Sequence, residues 1–474
     1  MKKRSLFISI MSGLIILLPI LIANRLYVDD IGRTTHGYLS WDDNGRPLTS
    51  LIMKLVTTNS SMIDVSPLPQ LLGIILFCAA IHFLSSRIGI DNEFDRVLIV
   101  AATVSTPIIL ENLSYKFDAL TMLLSAICFM VAPAISYKRK HYDYVTKIAL
   151  IVSGLSMYQV NISFYIIASL CIFISTQNHK PDNAIKNAVV NALCLMGGYI
   201  VYSLIIVKVY VTGAYSLEHS KLVELGDIHK VYDTALYYTK MIGLYYNGFE
   251  LYCLITLILI AFISLLCNFK GAAFCNVGLA CRIACLATIP LALTSVLIPI
   301  SFLKYPVLHP RVLMPFSGFV FLVSFLSLAY NGLVKKISRI LLMAIIFPAY
   351  VFSFIYGKAL ETQTKYEEII TSSIYSDLIK INYKYNDNLF FSGKSLKSPV
   401  VLRIEKEKPF ISELIYPTYK PKWMFANMNL NRYGIGGGYS ELDGRSAGFP
   451  SERIVSSFNY DIYKVSGGFL INFK

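Results

Sequence analysis

The chain has 474 residues, 55% of them hydrophobic and only 15% charged, with a mean hydropathy of +0.57. A soluble domain carries charge on about a quarter of its residues, so a soluble globular protein is excluded and a polytopic α-helical membrane protein is expected. The net charge of +14 would point to nucleic acid in a soluble protein; here it is what Lys and Arg gathered in cytoplasmic loops beside anionic headgroups produce, and no nucleic-acid partner is expected.

The first apolar run, Leu6–Asn24, follows Lys2, Lys3 and Arg4 and has no small-x-small cleavage site behind it. It reads as an uncleaved first span with the N-terminus inside. Directly past it comes RLYVDDIGRTTHGYLSWDDNGRPL, Arg25–Leu48, which gathers Asp29, Asp30, Asp42 and Asp43 with several basic residues in an otherwise apolar chain. Further apolar runs lie near 68–84, 97–110, 119–136, 146–160, 162–176, 188–212, 250–268, 283–303, 312–330 and 340–357. With roughly 20 residues per span this predicts about nine to eleven spans, the pair near 146–176 being short enough for a re-entrant hairpin.

The loops between them alternate. SSRIGIDNEFDR, YKRKHYD, TQNHKPDNAIKN, CNFKG and LVKKISR are short and mostly basic and belong inside. The first loop (25–67), ENLSYKFD, 213–249 and LKYPVLHPR form the outer set. An odd number of spans then puts the C-terminus outside too. The composition divides the chain into a membrane domain, 1–357, and a C-terminal domain, 358–474, long enough to bury its own core. In that tail TKYEEIITSSIYSDLIKINY has helical periodicity, NLFFSG reads as a strand, and YDIYKVSGGFLINFK as a hairpin around Gly467-Gly468, predicting a small α/β domain.

Several familiar chemistries are excluded. SGKS at Ser392–Ser395 lacks the first glycine of a phosphate loop, Asn388 standing there; RYGIGGGY carries Tyr439 where a dinucleotide motif needs its last glycine; HExxH and Gly-x-Ser-x-Gly are absent. The nine cysteines sit in or near apolar runs, and Cys275, Cys281 and Cys285 fit no zinc spacing. A disulfide framework and a metal centre are therefore not expected.

What remains is charge at the outer ends of spans. Asp29 and Asp30 begin a few residues beyond the first span, near the interface, where desolvation raises carboxylate basicity. A positioned carboxylate can take the proton from a hydroxyl. Arg33, Arg46 and His36 beside it suit an anionic phosphate, so the cluster suggests a donor sugar activated on a lipid phosphate, against the bland alternative of a solvated loop. Glu111, Lys116 and Asp118 form a second cluster at an outer junction, where charges also simply snorkel. Lys304, His309 and Arg311 form a third, suited to phosphate or to anchoring a helix end. Gln159, after Tyr158, faces a cavity or bonds a neighbouring helix. Trp41 and Trp423, the two tryptophans, suit stacking on sugar faces, and interfacial anchoring explains Trp41 equally well. The Tyr-, Asn- and Gly-rich stretch 415–449 suits contact with a glycan or an ordinary irregular loop.

The YVDD…R…G…W…GRPL opening, the P…LENLSYKFD junction, the YQ turn and the outer tail together resemble the serotype-converting O-antigen glucosyltransferases of phages and enterobacteria, type II Gtr. The resemblance runs along most of the membrane part and is weakest in the tail. It implies a GT-C-like enzyme of the bacterial inner membrane, undecaprenyl-phosphate glucose as donor, and a lipid-linked O-antigen repeat unit as acceptor. It also implies two partners, a bactoprenol glucosyltransferase and a glucosyl-lipid flippase. The catalytic acid of GT-C enzymes lies in the first outer loop, matching Asp29 or Asp30, with the choice between them open. Donor-phosphate roles for Arg33, Lys116 and Arg311 are inferred from charge alone. A divalent cation bridging carboxylate and phosphate is compatible with this scheme and not required by it. A polysaccharide flippase or transporter, or an O-antigen polymerase or ligase, is the competing reading. The first needs ionisable groups midway along the spans, which are nearly free of charge; the second needs a large central outer loop, whereas the largest outer element here is C-terminal.

Overall fold

The computed structural model describes residues 2–179, 181–268, 279–329, 332–385, 387–436, 452–465 and 467–474. Most of the CNFKG loop, Cys275, and the tail stretch 437–451, with all of the GGGY run but its first glycine, lie outside the described residues.

Among the described residues, eight helices are long and apolar enough to cross a membrane, and a ninth span arises if the bent pair Glu93–Val104 and Pro107–Ser114 is taken as one. That pair bends by 52° around Ser105, Thr106 and Pro107, where proline withdraws a backbone donor and disfavours helix at the residue before it. The count falls at the low end of the expected range because two expected spans are shorter than a bilayer requires. Ala119–Ala134 is an apolar helix of 16 residues, and Lys140–Leu155 carries Asp143 and Lys147 buried inward in its first two turns. Its partner Gln159–Gln177 is a full span, so 146–176 is a short helix followed by a long one. Ile162–Ile174 packs with Phe77, Phe129, Phe316–Leu328 and the first helix in one continuous core.

The two sets of loops fall at opposite ends of the helices. Residues of the first loop bond to 116–118, 157 and 159, while at the other end Asp95 pairs with Lys335 and Arg339. The alternation read from the sequence is thus reproduced in space.

The first helix, Lys2–Ala23, lies against Leu68–Arg87, Glu93–Val104 and the 48-residue helix Leu333–Lys380. Gly357 is required there: a Cβ would run into Pro19 of the first helix, side chain and carbonyl alike. The expected boundary at 357 therefore falls inside a continuous helix, which leaves the bundle and becomes one wall of the tail domain. Ile370, Ile374 and Leu378 of its far end cover a four-stranded sheet. Strand β1 (Asn388–Gly393) runs parallel to β4 (Gly468–Phe473), which pairs antiparallel with β3 (Tyr460–Val465) and that with β2 (Glu452–Ser456), giving the order β1-β4-β3-β2. Alternate residues Leu389 and Phe391, Tyr460 and Ile462, and Phe469, Ile471 and Phe473 make the buried face, as the period-two pattern requires.

Candidate functional site

The chain enters the site through a strained turn. Val28 has φ +49° and ψ −104°, a conformation that glycine adopts freely and a β-branched residue resists. The turn is closed by Asp30 N donating to Tyr27 O at 3.1 Å, and Tyr27 N donates back to Asp30 Oδ2 at 3.2 Å. The short helix Asp29–His36 follows and ends at Gly37, whose φ of +67° forms a left-handed cap.

The two aspartates that the sequence left equivalent are separated by this geometry. Asp30 is fully buried. Besides the Tyr27 amide it accepts from Lys116 N at 2.9 Å and Phe117 N at 3.4 Å, so it pins the first loop to the 115–118 junction through backbone groups. Burial pushes its carboxyl up to about 8, the Lys116 amide pulling against this and the Asp118 charge adding to it. Asp29 projects differently. Its carboxylate is 39% exposed and stands 3.9 Å from Arg33 Nη1, within electrostatic range of Tyr38, Tyr115, Glu111 and Arg311.

Asp118 organises the rest of the loop. Its Oδ2 accepts from Arg33 Nη1 at 3.0 Å; its Oδ1 accepts from Trp41 Nε1 at 2.8 Å and Arg46 Nη2 at 3.1 Å. Burial alone would push the Asp118 carboxyl up; the Arg33 and Arg46 guanidinium groups and the Trp41 N–H outweigh it and hold it below the usual carboxylate range. The Arg33 guanidinium also lies 4.2 Å from the Trp41 ring centre, and Arg46 Nε donates to Met157 O at 2.6 Å.

The roles expected for several residues are accordingly different in the structure. Arg33 and Arg46 are committed to Asp118 rather than free for phosphate. Trp41 is fully buried with Met53, Met62 and Phe117, so it is neither a sugar platform nor an interfacial anchor. Gln159 donates to Asn44 O at 3.0 Å and to the Tyr202 hydroxyl at 2.8 Å; it fastens the loop to two helices.

Around Asp29 the structure assembles an aromatic and cationic wall. Tyr27 meets Tyr115 edge-on at 4.9 Å and Tyr416 of the tail at 5.7 Å. Arg311 lies over Tyr115 and donates through Nη1 to its hydroxyl, and Arg311 N donates to Glu111 Oε2 at 2.6 Å. Among the described residues no carboxylate lies within ion-pair distance of the Arg311 guanidinium. His309 Nδ1 is 2.6 Å from the Tyr416 hydroxyl, whose own proton goes to Glu413 O at 2.8 Å. This pairing is satisfied when His309 carries its proton on Nδ1. Burial, with the Arg311 and Lys420 charges, lowers His309 to about 4, so it is neutral near pH 7.

Lys116 faces the other side of the short helix, with Ile31 and Thr34. Its Nζ donates to Asn24 at 2.7 Å and Asp64 at 3.0 Å. Two cavities share Lys116, Asn24 and Arg25: one of about 360 Å³ among Ile20, Ile22, Pro67 and Gln70, and one of about 300 Å³ beneath the tail, bordered by Asp64, Glu367, Thr418 and Arg432. Arg25 here makes a buried pair with Glu367 of the long helix at 3.0 Å, and Glu367 also accepts from Gln363, Thr418 N and Thr418 Oγ1.

Sequence reasoning missed Arg25, Glu367 and the tyrosine wall. A signal for the wall was present: Tyr27 and Tyr115 each stand within a motif that was singled out for its charges. Among the described residues, no group of three or more His, Cys, Asp or Glu side chains is placed to hold a metal ion.

A bundle of eight or nine apolar helices whose polar residues converge at one end, under a small sheet domain, defines a multi-pass membrane protein with a site at the bundle end. The family model described as glucosyl transferase GtrII matches residues 18–323, from the first helix through the loop that carries Arg311, and the chain belongs to that family. It is also 29% identical over 436 residues, 90% of each chain, to the uncharacterized 55.3 kDa protein in the gtrB 5′ region of Salmonella phage P22. Family membership supports a glycosyltransferase that moves glucose, and the gtr setting of the relative fits serotype conversion.

Proposed function

We propose that the chain is an inverting GT-C-like transferase that moves glucose from undecaprenyl-phosphate glucose to a sugar hydroxyl of a lipid-linked O-antigen repeat unit at the periplasmic face of the inner membrane. In this reading the N-terminus is cytoplasmic and the site end, with the C-terminal domain, is periplasmic. A bactoprenol glucosyltransferase and a glucosyl-lipid flippase supply the donor, in keeping with the relative's position beside gtrB.

The observation that carries the reading is the division of labour between the two aspartates. Asp30 is held on both oxygens by backbone amides, whereas Asp29 keeps a partly exposed carboxylate within electrostatic range of Arg311, whose charge is also felt by Glu111. Asp29 takes the proton of the acceptor hydroxyl. The acceptor oxygen forms its bond to the anomeric carbon as the bond from that carbon to the phosphate oxygen breaks, and the electron pair leaves on the polyprenyl phosphate. That leaving group is already anionic and needs cations more than an acid. Arg311 supplies one, with N–H groups beyond the one given to Tyr115, and Lys116 borders the route from the membrane edge. Asp30 and Asp118 hold the loop so that Asp29 meets the hydroxyl.

Reconstitution tests the donor class. Purified protein in lipid, given a lipid-linked repeat unit, should transfer glucose from polyprenyl-phosphate glucose and not from a sugar nucleotide. Lipopolysaccharide from cells expressing the chain with its two partners should gain glucose with unchanged chain-length distribution. A changed chain length with no added glucose would instead favour a polymerase, and loss of surface glycan a flippase.

A further inference from the structure

At the end of the bundle away from the glucosyl site, a cavity of about 270 Å³ lies between the ends of three helices and the segment 133–147. Its rim carries Arg87, Lys140 and Lys186, all exposed; Asp143, Thr176 and Asn187 line it as well, and Pro133, Ile172 and Val190 are its apolar members. In its wall is Lys147, only 7% exposed. The Lys147 ammonium donates to the Asn191 side-chain oxygen at 2.7 Å. Among the described residues no carboxylate lies within ion-pair distance of it, the nearby Asp143 being engaged by Lys140 and by Tyr137 N. A buried cation bonded only to a neutral amide, with Asp143 acting on it at longer range, is costly, and the surplus of cations around it leaves a place for an anion.

The surroundings say which anion. Leu68–Arg87, Gln159–Gln177 and Asn183–Tyr210 are candidate spans whose ends meet at this cavity, so it lies at the depth of the lipid headgroups. Ile185, Val189 and Leu193, on the helix that contributes Lys186 and Val190, are exposed apolar residues. Tyr137, Tyr142 and Tyr144 nearby are exposed as interfacial tyrosines are. Four cations against one carboxylate, at the ends of three candidate spans and beside apolar side chains, match a phosphodiester carrying hydrophobic chains rather than a free phosphate.

We propose that this cavity binds the phosphate headgroup of an anionic phospholipid in the leaflet at the end of the bundle opposite the glucosyl site, with Lys147 as the inner contact and Lys140, Lys186 and Arg87 around it. The assignment is independent of the chemistry at the other end.

The intact protein in detergent, incubated with phosphatidylglycerol or phosphatidylcholine and examined by native mass spectrometry, tests it. The wild type should retain phosphatidylglycerol in preference to phosphatidylcholine. Lys147→Met, which keeps the length and removes the buried charge, and the exposed pair Lys140→Ala with Lys186→Ala should each lose retention, by roughly fivefold per cation removed. Unchanged thermal unfolding of the double variant shows that the loss is not one of folding. Equal retention of the two lipids, retention unaffected in both variants, or full displacement of phosphatidylglycerol by inorganic phosphate alone at similar concentration would overturn the proposal.

Discussion

Asp29→Asn separates chemistry from scaffold more sharply than any other change at the site. The asparagine has the same shape and gives up only a partly exposed ion pair 3.9 Å from Arg33, worth at most about 1 kcal/mol to the fold. Arg33 keeps its stronger partner Asp118 at 3.0 Å, so no buried charge is stranded. An amide cannot accept the hydroxyl proton, and loss of a general base costs roughly 10²–10⁴ in rate, or about 3–5.5 kcal/mol of barrier. The expected outcome is a purified variant that unfolds within about 1–2 °C of the wild type and yet adds almost no glucose to the repeat unit in reconstituted transfer. Glucosylation at more than about a third of the wild-type rate would refute the assignment of Asp29. So would activity lost together with a Tm depressed by many degrees, since Asp29 would then belong to the scaffold.

Asp118→Asn should do the opposite first. It leaves the Arg33 and Arg46 guanidinium groups, 6% and 13% exposed, without their shared carboxylate, a loss of roughly 3–5 kcal/mol read as a lowered Tm. Glu367→Gln strands buried Arg25 in the same way, and trypsin should then cleave the chain near the tail domain faster than in the wild type. His309, with its native pKa near 4 against about 6.5 when unfolded, contributes stability that is present above pH 6.5 and lost as pH falls from there to about 4. His309→Gln should flatten the decline of Tm across that window, while the wild-type transfer rate should show no inflection near pH 6.5 from this group. Asp30, raised to about 8, has the reverse sign: its contribution is complete below about pH 4 and fades as pH rises to 8, so Asp30→Asn should reduce the loss of Tm between pH 6 and 8.

Much of the architecture was legible because the relevant signals are local. Where they are described, the two sets of loops lie at opposite ends of the helices, and NLFFSG and the hairpin at Gly467-Gly468 are strands whose alternate residues face one helix. At 357 the composition changes within the continuous helix Leu333–Lys380, because nothing in composition says that a helix stops where it leaves the bundle. The range of span counts is wide in the sequence because an apolar run of 13–16 residues looks like a span until its length is measured between its ends, as at Ala119–Ala134.

The site was legible in its members and not in their roles, and the reason is pairing. Composition and spacing can show that Arg33, Arg46, Glu111, Lys116, Asp118 and Arg311 share one face of the membrane. They cannot show that Asp118, 85 residues beyond Arg33, absorbs two of the cations that a phosphate would otherwise attract, or that Arg25 is neutralised from 342 residues away. In a low-dielectric setting each cation must find a counter-charge, so clusters of opposite charge sort themselves into internal pairs. The groups left over are then the ones open to a ligand. At one end that remainder includes Asp29 and Arg311, each within electrostatic range of the other and of Tyr115. Adjacency in sequence made Asp29 and Asp30 look interchangeable; a single strained turn at Val28 and three backbone amides bury one of them and leave the other partly exposed.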